Sequence, residues 1–328
     1  MFRKKLIGLA TVSLLALTLS ACDSGTTPEA GAANSSDGAK PYVAVVSKGF
    51  QHQFWQSVKS GAEQAADEYG VEITFEGPNT EQDVAQQVEM LTTAMSKNPA
   101  AVGIAALDSQ AVTPLLEEAK TKNIPVVAFD SGVESDIPIA TAATDNKAAA
   151  AEAAKHMAEL IGGSGEIAIV AHDQTSTSGQ DRRDGFVDYM KENHPDIKIV
   201  TVQYGGGDQL ESANLAKTII NGNPNLKGLY GTNEGSAIGV VKAVEELGLK
   251  DKLTIVGFDS GQAQMDAIRS GIMAGAVTQN PVGIGYETVK AAAAAVKGES
   301  VEKVIDTGFY WYDAENIDDE KIKANLYE

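Results

Sequence analysis

The chain has 328 residues, 43% of them hydrophobic, which is enough for two lobes that each bury their own core. Asp and Glu number 45 against 26 Lys and Arg, a net charge of -19, and this argues against nucleic acid or an anionic membrane surface as a partner. A single cysteine leaves no internal disulfide.

Three of the cations, Arg3, Lys4 and Lys5, open the chain ahead of an apolar run from Leu6 to Leu19. That run has signal-peptide length and is too short to span a bilayer comfortably. It ends Leu19-Ser20-Ala21-Cys22, small residues leading into the only cysteine. The pattern resembles the bacterial lipobox, where the chain is cut before the cysteine and the sulfur is acylated. Residues 1–21 are therefore expected to be a signal peptide and Cys22 the lipid attachment. An ordinary secretory peptide with an incidental free thiol is the weaker reading. Asp23 to Ala39 is rich in Gly, Ser, Thr, Ala and Asn without an apolar period, so 22–40 reads as a flexible tether.

From Pro41 the pattern alternates between strand and helix. Tyr42 to Ser47 is apolar almost throughout, as expected of a parallel strand covered on both faces. Phe54, Val58, Ala62, Ala65 and Tyr69 then fall at helical spacing. The loop between them carries Lys48, Phe50 and His52 and runs into Phe54 and Trp55. In open α/β sheets ligands sit at the carboxyl ends of the strands. The two aromatics are either a platform for a flat apolar face or the start of the helix's core stripe.

Further strands are expected over 71–76, 102–107, 124–129 and 137–143. After an Ala-rich helix near 147–161 the pattern restarts, with strands over 167–171, 197–202, 226–230, 253–258 and 274–278. Alternating units of this kind predict an α/β fold, two lobes with parallel sheets facing one another across a cleft.

An internal repeat supports the duplication. Val126-Val127-Ala128-Phe129-Asp130-Ser131-Gly132 recurs as Ile255-Val256-Gly257-Phe258-Asp259-Ser260-Gly261, each copy following an Asn-Pro at a similar interval. One carboxylate thus falls at the carboxyl edge of each sheet. It serves either a ligand or, as Asp-Ser-Gly permits, its own turn. Asp108, His172, Asp173, Asp208, Asn233, Glu234, Gln279, Asn280 and Arg182 gather at the same edge. Such groups offer the donors and acceptors that a polyhydroxylated ligand requires.

No enzyme motif accompanies them. The glycine runs 162–165 and 205–207 lack dinucleotide-loop or P-loop spacing, and no G-x-S-x-G or H-E-x-x-H is present. Glu152, His156 and Glu159 could share a helix face, where a solvated surface is the better reading than a metal site. The acidic stretch 313–320 lacks a calcium loop's glycine and spacing. Neither a metal nor a cofactor is expected.

In order along the chain stand Ser47 with Phe54-Trp55, Phe129-Asp130, Thr144-Asp145-Asn146, Arg182-x-x-Gly185-Phe186, Thr232-Asn233-Glu234, Gly257-Phe258-Asp259 and Thr278-Gln279-Asn280-Pro281. With the lipobox and tether, this series resembles the solute-binding proteins of bacterial sugar importers, of the ribose- and galactose-binding type, over essentially everything after Pro41. The resemblance implies two Rossmann-like lobes joined by a three-crossing hinge near Asp145, Gln279 and Thr307. Lobe 1 would comprise 41–145 and 281–306, and lobe 2 would comprise 146–280 and 307–328. It implies that Phe54 and Trp55 stack on a sugar ring while Asp130, Arg182, Asn233, Asp259 and Gln279 hydrogen-bond its hydroxyls. Lys48, His52, Ser131 and Phe258 complete the expected ligand site.

The chain departs from that family at His52, where asparagine is frequent, and at Ser131, where ribose binders have arginine. It departs again at Gly207, where they supply an aromatic, and at Ala105, where a polar residue is common. The implied function is extracytoplasmic capture of a monosaccharide or similar polyol by hinge closure and delivery to the permease of an ABC importer. A monomer held to the membrane only by its lipid is expected. A secreted sugar sensor presenting its ligand to a membrane receptor is the alternative. A lactose-repressor-like regulator would need a basic DNA-binding module ahead of the lobes. A glycosidase would need Asp130 and Asp259 roughly 5–10 Å apart about one glycosidic bond.

Overall fold

A computed structural model describes residues 39–327. The expected signal peptide, Cys22 and all but the end of the tether lie outside the described residues. The body starts with β1 (Tyr42–Val46), α1 (Gln53–Tyr69), β2 (Glu72–Glu76), α2 (Val84–Ser96), β3 (Ala101–Ile104), α3 (Thr113–Thr121), β4 (Val126–Phe129) and β5 (Ala140–Ala143). A second series follows: α4 (Asn146–Leu160), β6 (Gly165–Ala171), α5 (Thr177–Asn193), β7 (Ile197–Tyr204), α6 (Gln209–Gly222), β8 (Leu226–Gly231), α7 (Glu234–Glu246), β9 (Thr254–Phe258), α8 (Gln262–Arg269) and β10 (Gly275–Gln279). The chain closes with α9 (Pro281–Val296), β11 (Val304–Asp306), β12 (Phe309–Asp313) and α10 (Glu320–Lys323).

Two six-stranded sheets result, ordered β11-β5-β4-β3-β1-β2 and β12-β10-β9-β8-β6-β7. The expected two-lobed α/β fold is what the chain adopts. In each sheet the second strand lies outside the first and the third on its other side, so the strand order reverses beside β1 and beside β6. Loops on either side of such a reversal diverge and leave a crevice at the carboxyl ends.

Each sheet has two apolar faces and a helix layer on both. Val43, Val45 and Phe129 pack with Val58 of α1 and Ile284 of α9, while Ala44, Val46 and Ile104 on the opposite face meet Leu91, Met95 and Leu116 of α2 and α3. Strict alternation of Cβ direction along a strand produces that division. In the second lobe Ile167 and Ile169 face α4 and α5, and Ala168 and Val170 face α6 and α7.

The elements differ from expectation in several respects: the strand expected to run to 107 stops at Ile104, and β11 and β12 have no counterpart among the expected strands. The strands expected from 124 and 137 begin only at Val126 and Ala140, because Pro125 and Pro138 carry no N–H for the ladder. The second sheet is also not wholly parallel, since β12 runs antiparallel to β10 with Gln279 opposite Phe309. All three passages between sheets leave from the carboxyl ends of β5, β10 and β11. With only Thr307 and Gly308 between β11 and β12, the chain enters the second sheet at the edge where its other strands finish, and must run back along it.

Helices α1 and α9 cover one face of the first sheet and approach through glycines. A β-carbon at Gly61 would meet the Val282 carbonyl, and one at Gly285 would meet the carbonyl of Val58. Backbone cannot rotate away as a side chain can. Gly61→Ala and Gly285→Ala are therefore expected to lower stability by about 1–3 kcal/mol each despite alanine's better helix propensity. Calorimetric melting would show it, and an unchanged or higher melting temperature would mean that the two helices have room to spare.

Candidate functional site

The polar residues expected at the cleft do converge there, each placed by the end of a strand. Lys48 follows β1, Asp130 follows β4, Asn233 lies two residues past β8, Asp259 follows β9 and Gln279 ends β10. They line one cavity with His52, Phe54, Trp55 and Arg182. Nine of the eleven expected ligand residues thus share its wall.

Arg182 occupies the centre. Its guanidinium carbon lies 3.9 Å over the Phe258 ring. Nε donates to Asn146 Oδ1 at 2.7 Å and Nη1 to the Thr232 carbonyl at 3.1 Å. The same group is 4.0 Å from Asp130 of the first lobe and 3.8 Å from Asp259 of the second. Phe258, expected as a ligand residue, is instead the floor beneath this guanidinium.

The two aspartates share backbone geometry. Both take positive φ, 54° at Asp130 and 78° at Asp259. Their N–H groups extend the ladder, donating to Ala142 and Val277 of the next strand at 2.9 and 2.7 Å. Left-handed backbone is uncommon outside glycine, though aspartate tolerates it. Among the described hydrogen bonds neither carboxylate serves its own turn, so the turn-acceptor reading fails. Asp259 instead accepts from Gln279 Nε2 at 2.7 Å and from the Glu234 N–H at 2.9 Å. Asp130 Oδ1 is buried with no hydrogen-bond partner among the described residues. Burial pushes the Asp130 carboxyl up to about 6, against the downward pull of Lys48 and Arg182.

Lys48 reaches the opposite lobe. Its Nζ stands 3.4 and 3.3 Å from the Ser176 and Ser178 hydroxyls and 3.6 Å from the Asp173 carboxylate. Burial alone would pull its pKa down, but Asp173, Glu81 and Asp130 outweigh it and hold the amine above its ordinary value. His52 also lines the cavity, and among the described residues its buried Nδ1 has no hydrogen-bond partner.

The aromatic pair begins the core stripe of α1 and also reaches the cavity wall. Trp55 is 1% exposed and packs edge-on against Phe54 and Phe129, ring centroids 5.0 and 6.4 Å away. It is core, yet its edge and that of Phe54 still border the cavity. Ser131 does not line the cavity. Its hydroxyl sits 3.3 Å from Thr177 Oγ1, a contact between the lobes.

Three lining residues, Glu81, His172 and Ser178, are absent from the expected site. His172 and its neighbour Asp173 are visible in the sequence at the sheet edge. Glu81 gives no signal, being one acid in the loop after β2. Its Oε1 accepts the Trp55 indole N–H at 2.7 Å, and its Oε2 is 3.4 Å from Asn233 Nδ2 across the cleft. Burial opposes its ionisation, but chiefly Lys48, with the Trp55 bond, holds it below its usual range. Burial conversely holds the His172 imidazole well below its usual value and neutral at pH 7.

Other polar residues at the edge are structural. Asp208 and Asn280 cap α6 and α9 through Glu211 and Gly283, and Asp108 accepts from the Gln110 and Ala111 amides. His156 bonds Glu152 at 3.1 Å and stacks on Trp311 with centroids 3.9 Å apart.

The cavity itself measures about 10 Å³. That admits roughly one water.

Residues 43–300 match the periplasmic binding protein domain. The chain belongs to the periplasmic binding protein family. It is 29% identical over 266 residues to the D-allose-binding periplasmic protein of Escherichia coli (strain K12), covering 79% of this chain and 85% of that one. Among solved structures it is similar to a carbohydrate transporter solute binding protein of Agrobacterium radiobacter in complex with D-arabinose, at 32% identity and TM-score 0.85 over 88% of this chain and 99% of that one. An ABC transporter solute binding protein of Agrobacterium vitis with bound D-fucose matches at 34% identity and TM-score 0.85, over 87% and 100% of the two chains. This periplasmic binding protein is accordingly a binding protein and not an enzyme, of a family that works outside the cytoplasm.

The buried Asp130 has a consequence for stability. Its folded pKa, about 6, exceeds the unfolded value, so its contribution is fully present below about pH 4 and is lost as pH rises through 6. Asp130→Asn is thus expected to raise the melting temperature at pH 7.5 and to change it little at pH 4. A fall at pH 7.5 would mean that Arg182 and Lys48 more than compensate the carboxylate.

Proposed function

We propose that this periplasmic binding protein captures a neutral monosaccharide or similar polyol between its lobes. The observation that carries the reading is the pair Asp130 and Asp259, one from each copy of the repeated turn, beside the two terminal nitrogens of Arg182, with Asp130 Oδ1 lacking a hydrogen-bond partner among the described residues. Carboxylates accept and do not donate, which suits hydroxyl donors. His52 Nδ1, also unpartnered, and Asn233 and Gln279 extend that set on both walls, and the borders of Phe54 and Trp55 offer a face for a ring.

Charge favours a neutral ligand. Lys48 already faces Asp173, and Arg182 faces two aspartates, so neither cation is free for an anionic group. The sugars named for the relatives, D-allose, D-arabinose and D-fucose, are neutral too. Closure of the hinge would complete the site, and the closed pair of lobes would deliver the sugar to the membrane permease of an ABC importer. In this reading the protein is a monomer, binds no nucleic acid and touches the membrane only through a lipid on Cys22.

Calorimetric titration with D-allose, D-ribose, D-arabinose, D-fucose and xylitol tests the proposal, and binding of none of them would end it. With a sugar that binds, Asp259→Ala is expected to raise Kd by about ten- to a hundred-fold, the worth of hydrogen bonds to a charged group. Proton competition at Asp130 should weaken binding below pH 6, by about tenfold at pH 5 relative to pH 7.5. A Kd flat between pH 5 and 7.5 would remove Asp130 from the contact. Cys22→Ser should move the protein from the membrane to the soluble fraction of cells. Retention of the variant on membranes would contradict the lipid anchor.

A further inference from the structure

Two helices that begin at the cleft receive no side-chain cap from their own N-cap residue, although in α8 the Gln264 side chain accepts from the Gly261 N–H at 3.2 Å. α1 has His52 at its N-cap with no side-chain hydrogen bond, and α8 has Gly261, which has no side chain to offer. The opening amides of a helix have no partner within it. Here they find one across the cleft. The Gln53 and Phe54 N–H groups of α1, in the first lobe, donate to the two carboxylate oxygens of Glu234 in the second, at 3.2 and 3.3 Å. The Gln262 N–H of α8, in the second lobe, donates to Gln53 Oε1 in the first at 2.9 Å.

The exchange is reciprocal and compact. A β-carbon at Gly261 would lie 2.9 Å from the Glu234 carboxyl carbon and 3.1 Å from Gln53 Oε1, so only glycine leaves room for both capping groups. Glu234 is 4% exposed, yet neither it nor Gln53 lines the cavity. An anionic group at the amino end of α1 also meets the favourable end of the helix dipole. Glu234 is tied to the ligand wall through its N–H on Asp259, and Phe54, whose amide it holds, borders the same cavity.

We propose that Glu234 and Gln53 form a reciprocal cap between the lobes that stabilises the closed form and so sets sugar affinity without touching the sugar. When the lobes part, water replaces all three bonds, and the Gln53, Phe54 and Gln262 amides lose their protein partners. The two residues are positioning residues for capture, and the inference rests on the closure reading above.

The full chain carrying Cys22→Ser with Gly132→Cys and Thr177→Cys tests the cap without any ligand. A β-carbon at Gly132 would lie 3.5 and 3.9 Å from the γ atoms of Thr177, close enough for a disulfide to hold the lobes together. In the oxidised protein, hydrogen exchange is read at the amides of Gln53, Phe54 and Gln262. Glu234→Ala should speed exchange at least about tenfold at Gln53 and Phe54 while sparing Gln262, and Gln53→Ala should do the reverse. Equal rates in parent and variants, or one uniform acceleration at all three, would overturn the proposal. In the protein without the engineered disulfide, each variant should raise the Kd for D-allose about three- to thirty-fold through faster dissociation, the range spanned by helix caps. Glu234→Gln, which keeps one acceptor oxygen, should recover part of the loss. An unchanged Kd would show that the caps form but do not govern closure, and would overturn the role. Should D-allose not bind the parent, the sugar reading is what suffers, and the exchange rates decide the cap alone.

Discussion

A buried guanidinium shared between two lobes is the interaction on which the cleft depends. Removing a cation and its partners from water is unfavourable unless each finds compensating charge and hydrogen bonds. Arg182 draws Asn146, the Thr232 carbonyl, the Phe258 face and Asp259 from its own lobe, but Asp130 from the other. Lys48 repeats the arrangement in the opposite sense, a first-lobe cation whose partners Asp173, Ser176 and Ser178 are all in the second. Each cation has a carboxylate in its own lobe and another in the opposite one, so the electrostatics of the two walls are linked. That makes the cleft responsive to whatever is held between them.

The repeated turn shows how one sequence came to do two jobs. Both copies carry aspartate into left-handed backbone and continue the sheet through its N–H. Their surroundings then diverge. The second copy is braced by the chain's last segment, with the Tyr312 hydroxyl donating to the Asp259 carbonyl at 2.7 Å and the Ser260 N–H donating to the Tyr327 hydroxyl at 3.1 Å. The first copy leans on the other lobe, where the Gly132 N–H donates to Thr177 Oγ1 at 2.6 Å. Asp259 is consequently held by protein, whereas Asp130 keeps an oxygen without a hydrogen bond and a raised pKa. One wall is fixed and the other is poised.

Most of this architecture is legible in the sequence because it follows from short-range rules. Apolar runs alternating with 3.6-residue stripes mark the strands and helices, and a parallel sheet places every strand's carboxyl end at one edge, so Lys48, Asp130, Asn233, Asp259 and Gln279 can be assigned to a common site from chain order alone. The antiparallel β12 is hidden, since its direction is set by where the third crossing enters the sheet and not by its composition. Glu81 is hidden for a related reason. A loop acid reads as solvated surface until folding brings Trp55, Lys48 and Asn233 around it. Ser131 and Phe258 stand beside the two cleft aspartates but do not line the cavity, because sequence order does not distinguish a side chain that lines a cavity from one that supports its wall.

Cations and carboxylates in the cleft also decide what kind of ligand the site can hold. Glu81, Asp130, Asp173 and Asp259 surround Lys48 and Arg182, so acceptors outnumber the charges that need them. An anionic guest would add to that excess in a buried space where screening by salt is weak. A guest rich in hydroxyls would do the opposite, offering donors to the Asp130 oxygen that has no hydrogen-bond partner among the described residues while adding no charge. The position at Gly207 shapes the remaining space: a β-carbon there would lie 3.0 Å from Asn233 and 3.1 Å from Glu81, on backbone already at positive φ. A bulky side chain cannot form the second wall at this point. Asn233 and Glu81 meet there instead, so polar groups rather than an aromatic ring close this side of the cleft.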